Sequence, residues 1–135
     1  MNLVEIKLHN RNLNSKSTLE VEKLSENSFR MIDNDLIDSR LTYGVEFEVI
    51  FNKDKKYEVS KILKESNFIT KRYSLTSNHT ESDYRMLGEE LIKRGGFWQV
   101  DFGSIATVNI SKDFKYDVEQ VINDLELKLI EITED

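Results

Sequence analysis

Apolar positions in the first half of the chain recur every second residue, in short stretches. LVEIKL (residues 3–8), TLEVEKL (18–24) and SFRMI (28–32) carry this period, and Ser25-Glu26-Asn27 between the last two reads as a hairpin turn. In VEFEVIF (45–51), Val45, Phe47, Val49 and Phe51 fall on one face and Glu46 and Glu48 on the other, the pattern of a strand with one side against a core. NKDKK then supplies a polar turn before YEVSKIL (57–63). There Tyr57 and Val59 keep the alternation and Lys61-Ile62-Leu63 breaks it, a place for a bulge. DNDLIDSR (33–40) has no period and is expected as a connecting loop or a single helical turn. Residues 1–66 therefore predict a small, strongly bent antiparallel β unit, a partial barrel.

From Asn67 the pattern changes. NFITKRYSLT (67–76) predicts a longer strand, and HTESDYRMLGEELIKRGG (79–96) a helix: Thr80 as N-cap with Asp83 three residues on, Lys93 and Arg94 in the last turn, and Gly95 placed for a left-handed cap. Tyr84, Leu87, Leu91 and Ile92 form its apolar stripe, and Gly88 within the stripe marks a close approach to a sheet. FWQVDF and SIATVNI predict two strands joined tightly around Gly103. SKDFKYDVEQVINDLE (111–126) predicts a helix capped by Ser111 or Asp113, with a stripe at Val118, Val121, Ile122 and Leu125, and LKLIEI (127–132) a terminal strand. The order β-α-β-β-α-β is the ferredoxin-like arrangement. The fold class is thus α+β: an N-terminal β unit (1–66) and a ferredoxin-like half (67–135), expected to form one compact structural unit.

Alternation in FWQVDF sends Trp98, Val100 and Phe102 toward the helices, together with Ala106, Val108 and Ile110. Phe97, Gln99, Asp101, Ile105, Thr107 and Asn109 are left on a sheet face without a helix. A mixed apolar and polar face of this kind is a candidate binding surface. Its expected occupants are the N-terminal unit, a second copy of the chain in a homodimer, or a ligand or partner.

At 135 residues, 39% hydrophobic and 33% charged, the chain has the size and composition of an ordinary domain. No apolar run approaches the roughly 18 residues that span a bilayer. MNLVEIKLHN alternates where a secretory leader would present a basic end and an apolar block, and cysteine is absent. A cytoplasmic protein without membrane contact is expected. The net charge of −6 is uneven: residues 1–66 carry 11 basic and 12 acidic side chains (net −1), and residues 67–135 carry 8 and 13 (net −5). That balance argues against nucleic acid, whose phosphates need clustered Lys and Arg. The acidic residues of the two helices, Glu81, Asp83, Glu89, Glu90, Asp117, Glu119, Asp124 and Glu126, are either a solvated face or a surface for a basic partner.

No catalytic signature appears. His9 and His79 lie at strand and helix ends without metal-ligand spacing, and there is no Gly-x-Ser-x-Gly elbow, P-loop or dinucleotide fingerprint. Glu89 and Glu90 are adjacent on a helix and diverge. An RNA-recognition sheet would need aromatics on its central strands and a basic surround, and SIATVNI has no aromatic. No catalytic residue, metal or cofactor is expected, and the chain does not read as an enzyme.

Four segments, VEKLSENSFRMIDNDL, LTYGVEFEV, ILKESNFITKRYSLTS and LIKRGGFWQVDFGSIATVNIS, resemble the uncharacterised bacterial family known as domain of unknown function 4265. The likeness runs from Leu19 to about Asp124. It departs at Val45, where the family has an acidic residue, and at Ser111, where it has proline; both are turn positions. The resemblance implies no established activity, although some members look like small immunity proteins beside secreted toxins. The expectation is a non-catalytic acidic protein-binding module, such as an immunity protein that neutralises a basic toxin domain; the alternative is a small-molecule-sensing regulatory module.

Overall fold

The alternating stretches of the first half become β1 (Leu3–Asn10), β2 (Ser15–Lys23), β3 (Ser28–Met31), β4 (Glu46–Phe51) and β5 (Tyr57–Lys64) in a computed structural model that describes residues 2–10, 15–53, 56–76, 80–113 and 117–132. Each strand pairs antiparallel with the next, and β5 meets β1 through a parallel bridge between Tyr57 and Leu8, which closes the five into a barrel. The inward residues, among them Ile6, Leu8, Leu19, Val21, Phe29, Met31, Phe47 and Val49, make one buried cluster. Each contributes on the order of 1.5–3 kcal/mol for its apolar side chain. Closure needs curvature, and β5 supplies it. Its register against β4 shifts twice, so Ser60 and Leu63 have no opposite number, and the broken alternation at Lys61-Ile62-Leu63 is a bulge.

Segment 33–40 is a loop. Asn34 and Asp35 are buried in it because they replace missing backbone bonds: Asn34 Oδ1 accepts from Tyr43 N at 2.9 Å, and the Asp35 carboxylate accepts from Ile37 N at 3.3 Å and Asp38 N at 3.1 Å. One expectation fails here. Phe51 does not join Val45, Phe47 and Val49 in the core; it is 60% exposed at the end of β4 and meets Tyr57 with ring centroids 4.3 Å apart.

The second unit, Phe68–Asp135 against Met1–Asn67 for the first, continues with β6 (Phe68–Ser74), α1 (Glu81–Lys93), β7 (Phe97–Asp101), β8 (Ile105–Ser111), α2 (Val118–Asp124) and β9 (Ile130–Ile132). The sheet is antiparallel in the order β7-β8-β6-β9, and both helices lie on the face that presents Tyr73, Val108 and Ile110. Leu87 and Leu91 of α1 and Val118, Val121 and Ile122 of α2 complete this second core. The whole chain is therefore α+β, with nine strands in two sheets and two helices among the described residues.

Both ends of α1 are set locally. Thr80 Oγ1 accepts from Asp83 N, Asp83 Oδ2 accepts from Thr80 N at 2.8 Å, and at the other end Gly96 N donates to Leu91 O and Gly95 N to Ile92 O, a Schellman closure around left-handed Gly95. α2 is shorter than expected. Its cap is Asp117, which accepts from Glu119 N at 2.9 Å, and not Ser111, which ends β8, or Asp113. It stops at Leu125 through the same closure, with Leu127 N bonded to Ile122 O and Glu126 N to Asn123 O, so β9 keeps three of the six expected residues. Three side chains expected inside are outside. Ile92 is 60% exposed on α1, and Val100 is 41% exposed on β7. Phe102, 86% exposed, leaves the strand altogether: it and Gly103 have positive φ in a turn closed by Ser104 N to Asp101 O, as in the hairpin turn of type I′.

Candidate functional site

Trp98 is the organising side chain of the second unit. It points toward the helices, half-buried against the core, and the absence of a side chain at Gly88 makes its place: a Cβ there would lie 2.7 Å from Trp98 Cδ1 and 2.9 Å from Nε1. The helix thus rides directly on the indole. Beside it, Tyr84 is fixed at both sides of its hydroxyl, donating to Thr76 O and accepting from Thr76 N at 2.9 Å. Together with Val100 and Leu75 these rings wall an apolar groove of about 660 Å³, and Arg85 and Glu81, ion-paired at 2.6 Å, stand at its rim.

The eight helix carboxylates do not act alike. On α1 most are matched: Glu81 holds Arg85, Asp83 caps the helix, and Glu90 accepts from Arg94 at 3.0 Å. On α2, Asp117 caps the helix, Asp124 accepts from Gln120 at 2.8 Å, and Glu119 accepts from the Tyr73 hydroxyl at 2.7 Å with Lys71 3.8 Å away. Glu89 and Glu126 make no such bond among the described residues. Residues 81–94 hold four acids and three bases (net −1), whereas residues 117–126 hold four acids and no base. Three of those four, Asp117, Asp124 and Glu126, are exposed. The acidic field of the second unit therefore centres on α2. Tyr73 is the sheet residue that anchors it: burial first, and the Glu119 carboxylate second, push its pKa well above the ordinary phenol range.

On the other face of the sheet, Phe97, Gln99, Asp101 and Ile105 are half-buried, and Gln99 Nε2 donates to Asp101 Oδ2 at 2.7 Å. Thr107 and Asn109 on the same face are fully buried, Asn109 donating to Thr70 Oγ1 at 2.8 Å.

The first unit brings together groups that no local spacing announces. His9, Asp35, Asp38, Arg40 and Glu58 line a polar pocket of about 350 Å³. Burial works against ionisation of Asp38, but the guanidinium and backbone N–H of Arg40, with Nη2 2.7 Å from Oδ2, outweigh it and hold the carboxyl below its usual range. His79, the second histidine, lies outside the described residues. Among the described residues no three His, Asp or Glu side chains converge to hold a metal ion, and no helix is long and apolar enough to cross a membrane.

No protein-family model matches the chain, and no curated protein matches it. Its fold is similar to that in a crystal structure of a hypothetical protein from Neisseria gonorrhoeae, with 18% sequence identity and a TM-score of 0.63 over 91% of this chain and 87% of that one.

Proposed function

We propose that the chain is a non-catalytic protein-binding module whose docking surface is the α2 side of the second unit, and that its partner is a basic protein domain, as for an immunity protein that neutralises a toxin in the cytoplasm. The observation that carries this is residues 117–126: four carboxylates with no base in the segment, three of them exposed and the fourth, Glu119, tied to the sheet by Tyr73 with Lys71 beside it. A rigid patch of one sign speeds encounter with a partner of the other and makes it salt-dependent. The strand order, with β8 and β6 central and β7 and β9 at the edges, supports a ferredoxin-like assignment for this half, and the closed β1–β5 sheet a barrel assignment for the other.

Affinity capture from the native host at low salt tests the proposal. One basic protein should be retained and released progressively by salt, and D124K/E126K, which spares the Asp117 cap, should abolish retention while leaving the fold intact. Retention that ignores both salt and charge reversal would sink it.

One observation favours a second reading, a small-molecule-sensing module. The groove beside Trp98 has apolar walls and a polar rim, the composition of a ligand site. A metabolite that raises the melting temperature by several degrees and changes Trp98 fluorescence, with no protein captured, would decide for it.

A further inference from the structure

One patch on the outside of the barrel is richer in bases than in acids, opposite in sign to the chain as a whole. On β1, Glu5, Lys7 and His9 face outward because Ile6 and Leu8 between them lie in the core. β2 places Lys16 directly across from His9. On the other flank of β1, the bridge from Leu8 to Tyr57 brings in Lys56, the residue before β5. Barrel closure thus gathers Lys7, Lys16, Lys56 and His9 around one groove of about 390 Å³, with Tyr57 and Glu5 in its wall.

These ammonium groups oppose one another. Lys56, through its side chain and its charge, and Lys7 more weakly, lower the pKa of Lys16 below the ordinary lysine value, with burial adding to the shift. One carboxylate, Glu5, also lines the groove, opposite Glu20 on β2, yet among the described residues Lys7, Lys16 and Lys56 form no salt bridge with it or with any other acid. His9 adds a buried Nδ1 that has no hydrogen-bond partner among the described residues. Three ammonium groups against one carboxylate, beside a buried ring nitrogen without a partner, leave the groove net positive in a chain of net charge −6 and make it the complement of a compact oxyanion.

We infer that this groove binds a phosphate-bearing small molecule, with Lys7, Lys16 and Lys56 on the phosphate oxygens and His9 Nδ1 donating to one of them. The site is built from residues of the first unit alone and does not depend on the protein-binding proposal.

Calorimetric titration of the full chain with inorganic pyrophosphate, and separately with ADP, at constant ionic strength tests it. Saturable binding of pyrophosphate is expected, weakened at least fivefold by K16Q and by K56Q and less than twofold by K93Q on α1. Neither groove variant should lower the melting temperature, since each removes repulsion. Tighter binding of ADP than of pyrophosphate would assign Tyr57 a ring-bearing ligand, and equal binding would assign the phosphate groups alone. Absence of saturable binding by both probes, groove variants that weaken binding less than fivefold, or K93Q weakening it as much as they do, would overturn the inference.

Discussion

Gly88 and Trp98 define one contact that the second unit cannot easily give up. Alanine is the better helix former by about 1 kcal/mol, yet its methyl at Gly88 would sit 2.7 Å from a rigid ring atom. Overpacking costs about 1–3 kcal/mol, so G88A should be net destabilised and its indole displaced. Trp98 is the chain's single tryptophan, so urea unfolding followed by its emission reads both effects. An unchanged midpoint and spectrum would show that the helix shifts at no cost. Tyr73 offers a second test. Its folded pKa is raised, so its contribution is fully present below the unfolded value of about 10 and is lost as pH climbs beyond that. Wild type should weaken from about pH 10 upward, and Y73F should weaken less steeply over the same interval. Parallel pH profiles would remove the link between the phenol and α2.

The two helices end in the same closure with different residues at its left-handed position. Gly95 has φ 82, and Glu126 has φ 57 in the equivalent place. A side chain there costs roughly 1–2 kcal/mol relative to glycine. E126G should therefore stabilise the chain by about 1 kcal/mol, seen as a higher urea midpoint, while removing one of the α2 carboxylates. At the opposite end of α1, T80A removes half of the capping box and should cost about 1 kcal/mol, measurable as a lower midpoint in the same assay. This contrast explains what was legible. Thr80, Asp83 and Gly95 mark both ends of α1 in the sequence itself. α2 carries its stop on a glutamate, so its apolar stripe gave the buried face and its local residues did not give its length. Strand alternation found the barrel strands and the bulge in β5, and it misplaced Phe51, Val100 and Phe102, because periodicity does not tell where a strand passes the rim of its core.

Across the whole molecule, charge is the property that reaches furthest. With a net charge of −6 and an isoelectric point near 5.0, solubility should pass through a minimum close to pH 5, checked by light scattering across pH 4 to 8. Composition located the excess acid in residues 67–135, and the structure weights it toward α2, because Arg85 and Arg94 pair with acids of α1 whereas on α2 Lys71 stands near Glu119 alone. The acidic surface was partly readable for this reason: charge can be counted along a chain, but its neutralisation depends on which side chains meet. By itself the sequence determined the succession of elements and which face of most of them is apolar, since both follow from residues two to four positions apart. Tertiary structure alone decided the gathering of Lys7, Lys16 and Lys56, the seat of Trp98 under Gly88 and the Tyr73 anchor of α2. Each joins residues distant in the chain, and their proximity is set by barrel closure and sheet pairing.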